Sequence, residues 1–141
     1  MKILFPTDGS AHSIAALRNV LAHLAWFADA PEIVLINVHP PLPYARAVAW
    51  AGKEAVARYY ADECAAALAP AISVLAEHGI CGEEVTKIGD PAHEIARYAA
   101  ESNADLVAMA RHGHSGIAGL LMGSVAQKVL AIIKLPVLLL P

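Results

Sequence analysis

Four stretches of the chain are apolar almost without interruption: "KILFP" (2–6), "EIVLINV" (32–38), "ADLVAMA" (104–110) and "PVLLL" (136–140). A strand that lacks in–out alternation is covered on both faces, as in a parallel sheet. A fifth, "GEEVTKI" (82–88), alternates weakly and is more polar, which suits a sheet edge. Between these runs the period changes to that of a helix. Ile14, Leu17, Val20, Leu21 and Leu24 share a helical face, with Ser10 placed as N-cap. Residues from about Gly52 to His78 predict a long helix stopped by Gly79, and Pro70 inside it should kink or divide it. Asp90 as N-cap and Pro91 at the first helical position start another. "SVAQ" (124–127) matches a capping box, with Ser124 bonding the Gln127 amide, and predicts a last helix to about Lys134. "HPPLPYARAV", with Pro40, Pro41 and Pro43, reads as loop.

The predicted order is β-α-β-α-β-α-β-α-β, an α/β architecture of parallel strands, right-handed crossovers and helices on both faces. Its 141 residues suffice for one domain (1–141) with a core of its own. The composition narrows the partners. A net charge of −3 lacks the basic excess expected of a general nucleic-acid binder. The most apolar stretch, "VLAIIKLPVLLLP", is broken by Lys134 and Pro136, and "MKILFPTDGS" is too short for a secretory core. The expectation is a cytoplasmic protein without membrane or nucleic-acid contacts. Cys64 and Cys81 form neither a disulfide framework nor a zinc motif, and Cys64, in an alanine-rich helix, reads as a core residue.

In open α/β sheets ligands sit at the carboxyl ends of the strands. Those ends carry "PTDGS" after the first strand, Val38 and His39 after the second, and "ARHGHSGIAGLLMGS" (110–124) after the fourth. Gly113 and Gly123 would admit phosphate oxygens close to backbone amides, or merely form tight turns. Ser124 could cap the helix or meet a phosphate. Asp8 could bind a ligand or hold its own Asx-turn. Arg111, His112 and His114 supply positive charge, and His112 with His114 lack the further ligands that a zinc site needs. No catalytic set emerges: there is no nucleophile elbow, no Ser/His/Asp grouping and no paired acids for magnesium. A response regulator would want an acidic pair after the first strand, and a flavodoxin a Ser/Thr-rich loop there. Only Asp8 and "TDGSAHS" occupy that place.

Over its whole length the chain resembles the universal stress protein family, through "ILFPTDGS", "VLINVH", "GDPAHEI", "ADLVAMARHGHSGIAGLLMGSVAQKVL" and "PVLLL". The resemblance implies an open, Rossmann-like sheet of the adenine nucleotide alpha hydrolase type, with strand order 3-2-1-4-5. It implies ATP or another adenine nucleotide, with or without Mg, as ligand. Pro6, Thr7, Asp8 and Val38 would then surround the adenine. Ala110, Arg111, His112, Gly113, His114, Ser115 and Gly116 would wrap ribose and phosphates, with Met109 joining the set ahead of them. Gly123, Ser124, Val125 and Ala126 would meet the phosphates. Nucleotide-binding members carry G-x2-G-x9-G-[ST]. Here Gly113, Gly123 and Ser124 fit, but Ala110 replaces the first glycine, which implies lowered affinity if its methyl faces the ribose. The resemblance also implies homodimers through the last strand (136–140), whose bare apolar edge calls for cover. A binding protein rather than an enzyme is expected. The alternatives are a nucleotide-free dimeric interaction module and, more remotely, a slow ATPase.

Overall fold

The structure is a computed structural model and describes residues 1–114 and 121–141. Strands β1 (Lys2–Pro6), β2 (Glu32–His39), β3 (Glu83–Ile88), β4 (Leu106–Ala110) and β5 (Val137–Leu140) form one sheet. All neighbours are parallel and the order is β3-β2-β1-β4-β5, as expected. The helices are α1 (Ala11–Ala22), α2 (Tyr44–Ala51), α3 (Lys53–Glu77), α4 (Pro91–Glu101) and α5 (Ser124–Ile132).

The uninterrupted apolar strands explain why two cores exist. Ile3, Phe5, Ile33 and Leu35 point to the side where Leu17 of α1 and Leu68 and Leu75 of α3 close over them. Leu4, Val34, Ile36 and Val107 point to the other, against Ile95 of α4 and Val129 of α5. Each such side chain, fully buried, contributes about 1.5–3 kcal/mol relative to exposure. Central strands β1 and β4 are therefore inaccessible on both faces, and β3 alternates exposed and half-buried positions at the polar edge. Cys64 is buried on α3, where burial pushes its thiol pKa up, consistent with a packing role.

Two expectations about the helices need correction. Residues 44–51 are helical rather than loop: the prolines end at Pro43, which occupies the N-cap position of α2, and Gly52 at φ 83° separates α2 from α3. Nor does Pro70 divide the long helix, for α3 runs unbroken through it. Pro70 and Ala66, whose carbonyl loses its helical donor, both lie on the exposed side, where water can take that carbonyl.

Candidate functional site

The sheet's carboxyl edge opens into a crevice of about 290 Å³. Pro6, Thr7 and Asp8 leave β1 on one side of it, and Val38 lies at the end of β2. Met109 and Ala110 end β4, and Arg111, His112, Gly113 and His114 continue into the loop along its wall. Gly123, Ser124, Val125 and Ala126 bring in the start of α5. Every expected site residue within the described part of the chain thus borders one cavity. Ser115 and Gly116 lie outside the described residues.

Asp8 holds two segments together. Its Oδ1 accepts from the Ser10 amide at 3.0 Å, closing the Asx-turn that leads into α1. Its Oδ2 accepts from the His114 amide at 3.0 Å, and His114 Nε2–H donates back to the Asp8 carbonyl at 2.9 Å. Burial alone would push the Asp8 carboxyl up, but the bonds from Ser10 and the His114 amide outweigh it and hold the pKa below its ordinary value. Gly113 is required beside this latch, because a Cβ there would stand 2.4 Å from Asp8 Oδ2.

The opposite wall is an open helix terminus. The expected capping box does not form: Gly123 is the N-cap, Ser124 is already the first helical residue, and no side chain among the described residues caps the helix. The Gln127 side chain donates instead to the Met122 carbonyl at 3.1 Å. The start is fixed by the loop, since the Gly123 amide donates to the Arg111 carbonyl at 2.7 Å and a Cβ on Gly123 would crowd that oxygen at 3.2 Å. The first amide of α5 to find a helical partner is that of Gln127, on the Gly123 carbonyl. The N–H groups of Ser124, Val125 and Ala126 therefore have no partner among the described residues. By contrast, Ser10 and Asp90 cap α1 and α4 with their side chains. Free amides and the helix dipole together favour an anion at the start of α5. His112 adds a buried Nδ1 that is also unpartnered among the described residues.

Ala110 is extended, at the end of β4, and its side chain packs in the core cluster that includes Ala16 and Leu17 of α1. The residue is only 7% exposed. Little of its methyl is thus left to face a ligand, and an alanine at this backbone conformation carries no strain. Asn37, Ser13, Ile36, Pro40, Pro91 and Ile95 also line the cavity and were not anticipated. Of these, Asn37 left a signal, as a polar residue inside an otherwise apolar run.

The fold and this crevice define a class: an open, doubly wound α/β protein with a ligand-sized cleft at the switch between β1 and β4. Within that class the universal stress protein family model matches residues 1–141, and the chain belongs to that family. A universal stress protein of Methanocaldococcus jannaschii is 32% identical over 137 residues, covering 97% of this chain and 79% of the relative. Among solved structures, a hypothetical protein studied as a test case of structural genomics matches with TM-score 0.80 and 27% identity, covering 99% of this chain and 94% of its own. A universal stress protein in complex with cAMP matches with TM-score 0.60 and 26% identity, over 100% of this chain and 96% of its own.

Proposed function

We propose that the protein binds an adenine nucleotide in this crevice, as a cytoplasmic binding protein rather than an enzyme. The observation that carries the proposal is the uncapped start of α5. Three amides without a partner among the described residues, on Ser124, Val125 and Ala126, border the same cavity as Arg111 and His112, so an anionic group there meets donors without a lysine. The cAMP complex of a relative supports the adenine assignment. ATP, ADP and AMP all carry the phosphate that this seat takes. Asp8 is the one carboxylate among the described lining residues, and both its oxygens already accept protein N–H groups. A Mg ion would consequently travel on the phosphates of the nucleotide rather than on the protein.

The buried position of Ala110 supports ordinary rather than weakened affinity, despite the altered glycine pattern. Calorimetry of the nucleotide-stripped protein should show saturable heat with AMP and ATP. No heat with either at millimolar concentration would overturn the proposal and leave a nucleotide-free module. The chain is further proposed to dimerise through β5. Leu138 and Leu140 lie in the ladder with β4, while the backbone groups of Val137 and Leu139 point to the unpaired outer edge. Sedimentation should give a dimer that Leu139→Pro weakens, because proline removes an outward donor and leaves the β4 ladder intact. A monomer for the unmodified chain would refute this.

A further inference from the structure

The Asn37 side chain is 6% exposed and donates from Nδ2 to the Thr7 carbonyl at 2.8 Å. That carbonyl has another natural partner. The Glu32 amide donates to Met1 and the Ile36 carbonyl accepts from Thr7, so even-numbered residues of β2 turn their backbone groups toward β1. His39, whose carbonyl accepts from Gly89, faces β3. The next rung of the β1–β2 ladder would therefore be the Val38 amide on the Thr7 carbonyl. This rung is missing, and the register of β1 with β2 ends at Pro6 and Ile36. Asn37 holds the acceptor that Val38 would have used. With that rung absent the Val38 N–H and C=O, one donor beside one acceptor, have no partner among the described residues, and Val38 borders the crevice.

We infer that Asn37 is a positioning residue that keeps the β1–β2 ladder open by one rung and so creates the base-selective edge at Val38. The inference rests on the nucleotide proposal above for the identity of the ligand, but not for the open rung itself. Adenine places a ring-nitrogen acceptor next to its N6 amino donor, which complements a free N–H beside a free C=O. Guanine and hypoxanthine place O6 where that amino group would be, opposite the Val38 carbonyl, and two acceptors then face each other. Selectivity of this kind comes from leaving a buried polar group unpaired with the wrong partner. Thr7 and Ser13, hydrogen bonded through their hydroxyls at 3.0 Å, are buried beside it, so Asn37 belongs to a polar plug at the end of an otherwise apolar face.

The test measures amide hydrogen exchange by NMR on the ligand-free protein, then base preference. In the unmodified protein the Val38 amide should exchange at least about 100-fold faster than that of Ile36, which sits in the same strand and in the ladder. In Asn37→Ala the freed Thr7 carbonyl should capture Val38 and bring its protection close to that of Ile36. Over the same change the preference for AMP over GMP should fall about ten-fold or more. A Val38 amide as slow as Ile36 in the unmodified protein overturns the inference, and this arm needs no variant to fold. Unchanged Val38 exchange in a folded Asn37→Ala protein overturns it as well. If exchange behaves as expected but AMP leaves the Val38 amide unprotected, the ligand assignment and the base-selective edge fail, and the open rung stands as structure.

Discussion

The contact between Gly113 and Asp8 offers a quantitative test of how the loop after β4 is held. In Gly113→Ala the new methyl carbon would lie 2.4 Å from Asp8 Oδ2 and 3.4 Å from its Cγ, so the carboxylate must turn away. Turning forfeits the 3.0 Å bond from the His114 amide. A hydrogen bond to a charged group contributes about 1.5–3 kcal/mol when well buried. Asp8 is only partly buried, so about 1–2 kcal/mol is the appropriate loss. For a chain of this size that corresponds to a fall in melting temperature of roughly 3–8 °C. In an Asp8→Ala background the obstructing oxygen is gone, and Gly113→Ala should cost less than about 0.5 kcal/mol. Chemical denaturation of the four proteins gives the coupling between the two sites, expected at about 1–2 kcal/mol. Costs that add to within about 0.5 kcal/mol would show that Asp8 does not hold the loop, and the latch would have to be abandoned.

Three other consequences are open to measurement. The folded pKa of Asp8 lies below its unfolded value of about 3.9, so its stabilisation is fully present above that pH and is lost as pH falls through the folded pKa. The stability difference between the unmodified protein and Asp8→Asn should accordingly stay level from pH 7 to about 5 and close only in more acidic solution; closure already at pH 6 would refute the assignment to the Asp8 carboxyl. Ala110→Gly should lose about 1–2 kcal/mol of stability, from a buried methyl and added chain entropy, with AMP affinity unchanged in calorimetry. Tighter AMP binding in that variant would return the methyl to the ligand's side. Ser10→Ala, which removes a cap that accepts from the Ser13 amide, should cost about 1 kcal/mol, whereas Ser124→Ala should cost under about 0.5 kcal/mol and weaken AMP instead.

The contrast between those two serines shows where the sequence was legible. Ser10 and Asp90 were placed correctly as caps because each is followed by an apolar helical pattern and its side-chain oxygen accepts from the amide three residues on. Ser124 and Gln127 carry an equally good local signature, yet the N-cap falls one residue earlier, on Gly123. The deciding bond joins Gly123 to the Arg111 carbonyl, a contact between segments that no local pattern contains. The strands were readable for the opposite reason, since burial on both faces writes an apolar run directly into the sequence. Proline misled twice because its effect depends on what surrounds it: Pro43 stands just before a helix, and Pro70 lies on the water-facing side of one.

Ala110 sharpens the same distinction between pattern and placement. As a letter in a glycine motif it marks a departure at the ribose, and the motif alone invites a weaker ligand. In the fold it is the last residue of a buried strand, extended and packed beneath α1, in a conformation that glycine is not needed to reach. Within the motif, Gly113 and Gly123 have an evident steric reason, since a Cβ would meet the Asp8 carboxylate and the Arg111 carbonyl. Those contacts hold the loop and the start of α5 in the arrangement that leaves three amides without a partner among the described residues. What the motif conserves physically, then, is the close approach of loop, carboxylate and helix terminus. Ala110 leaves that approach intact.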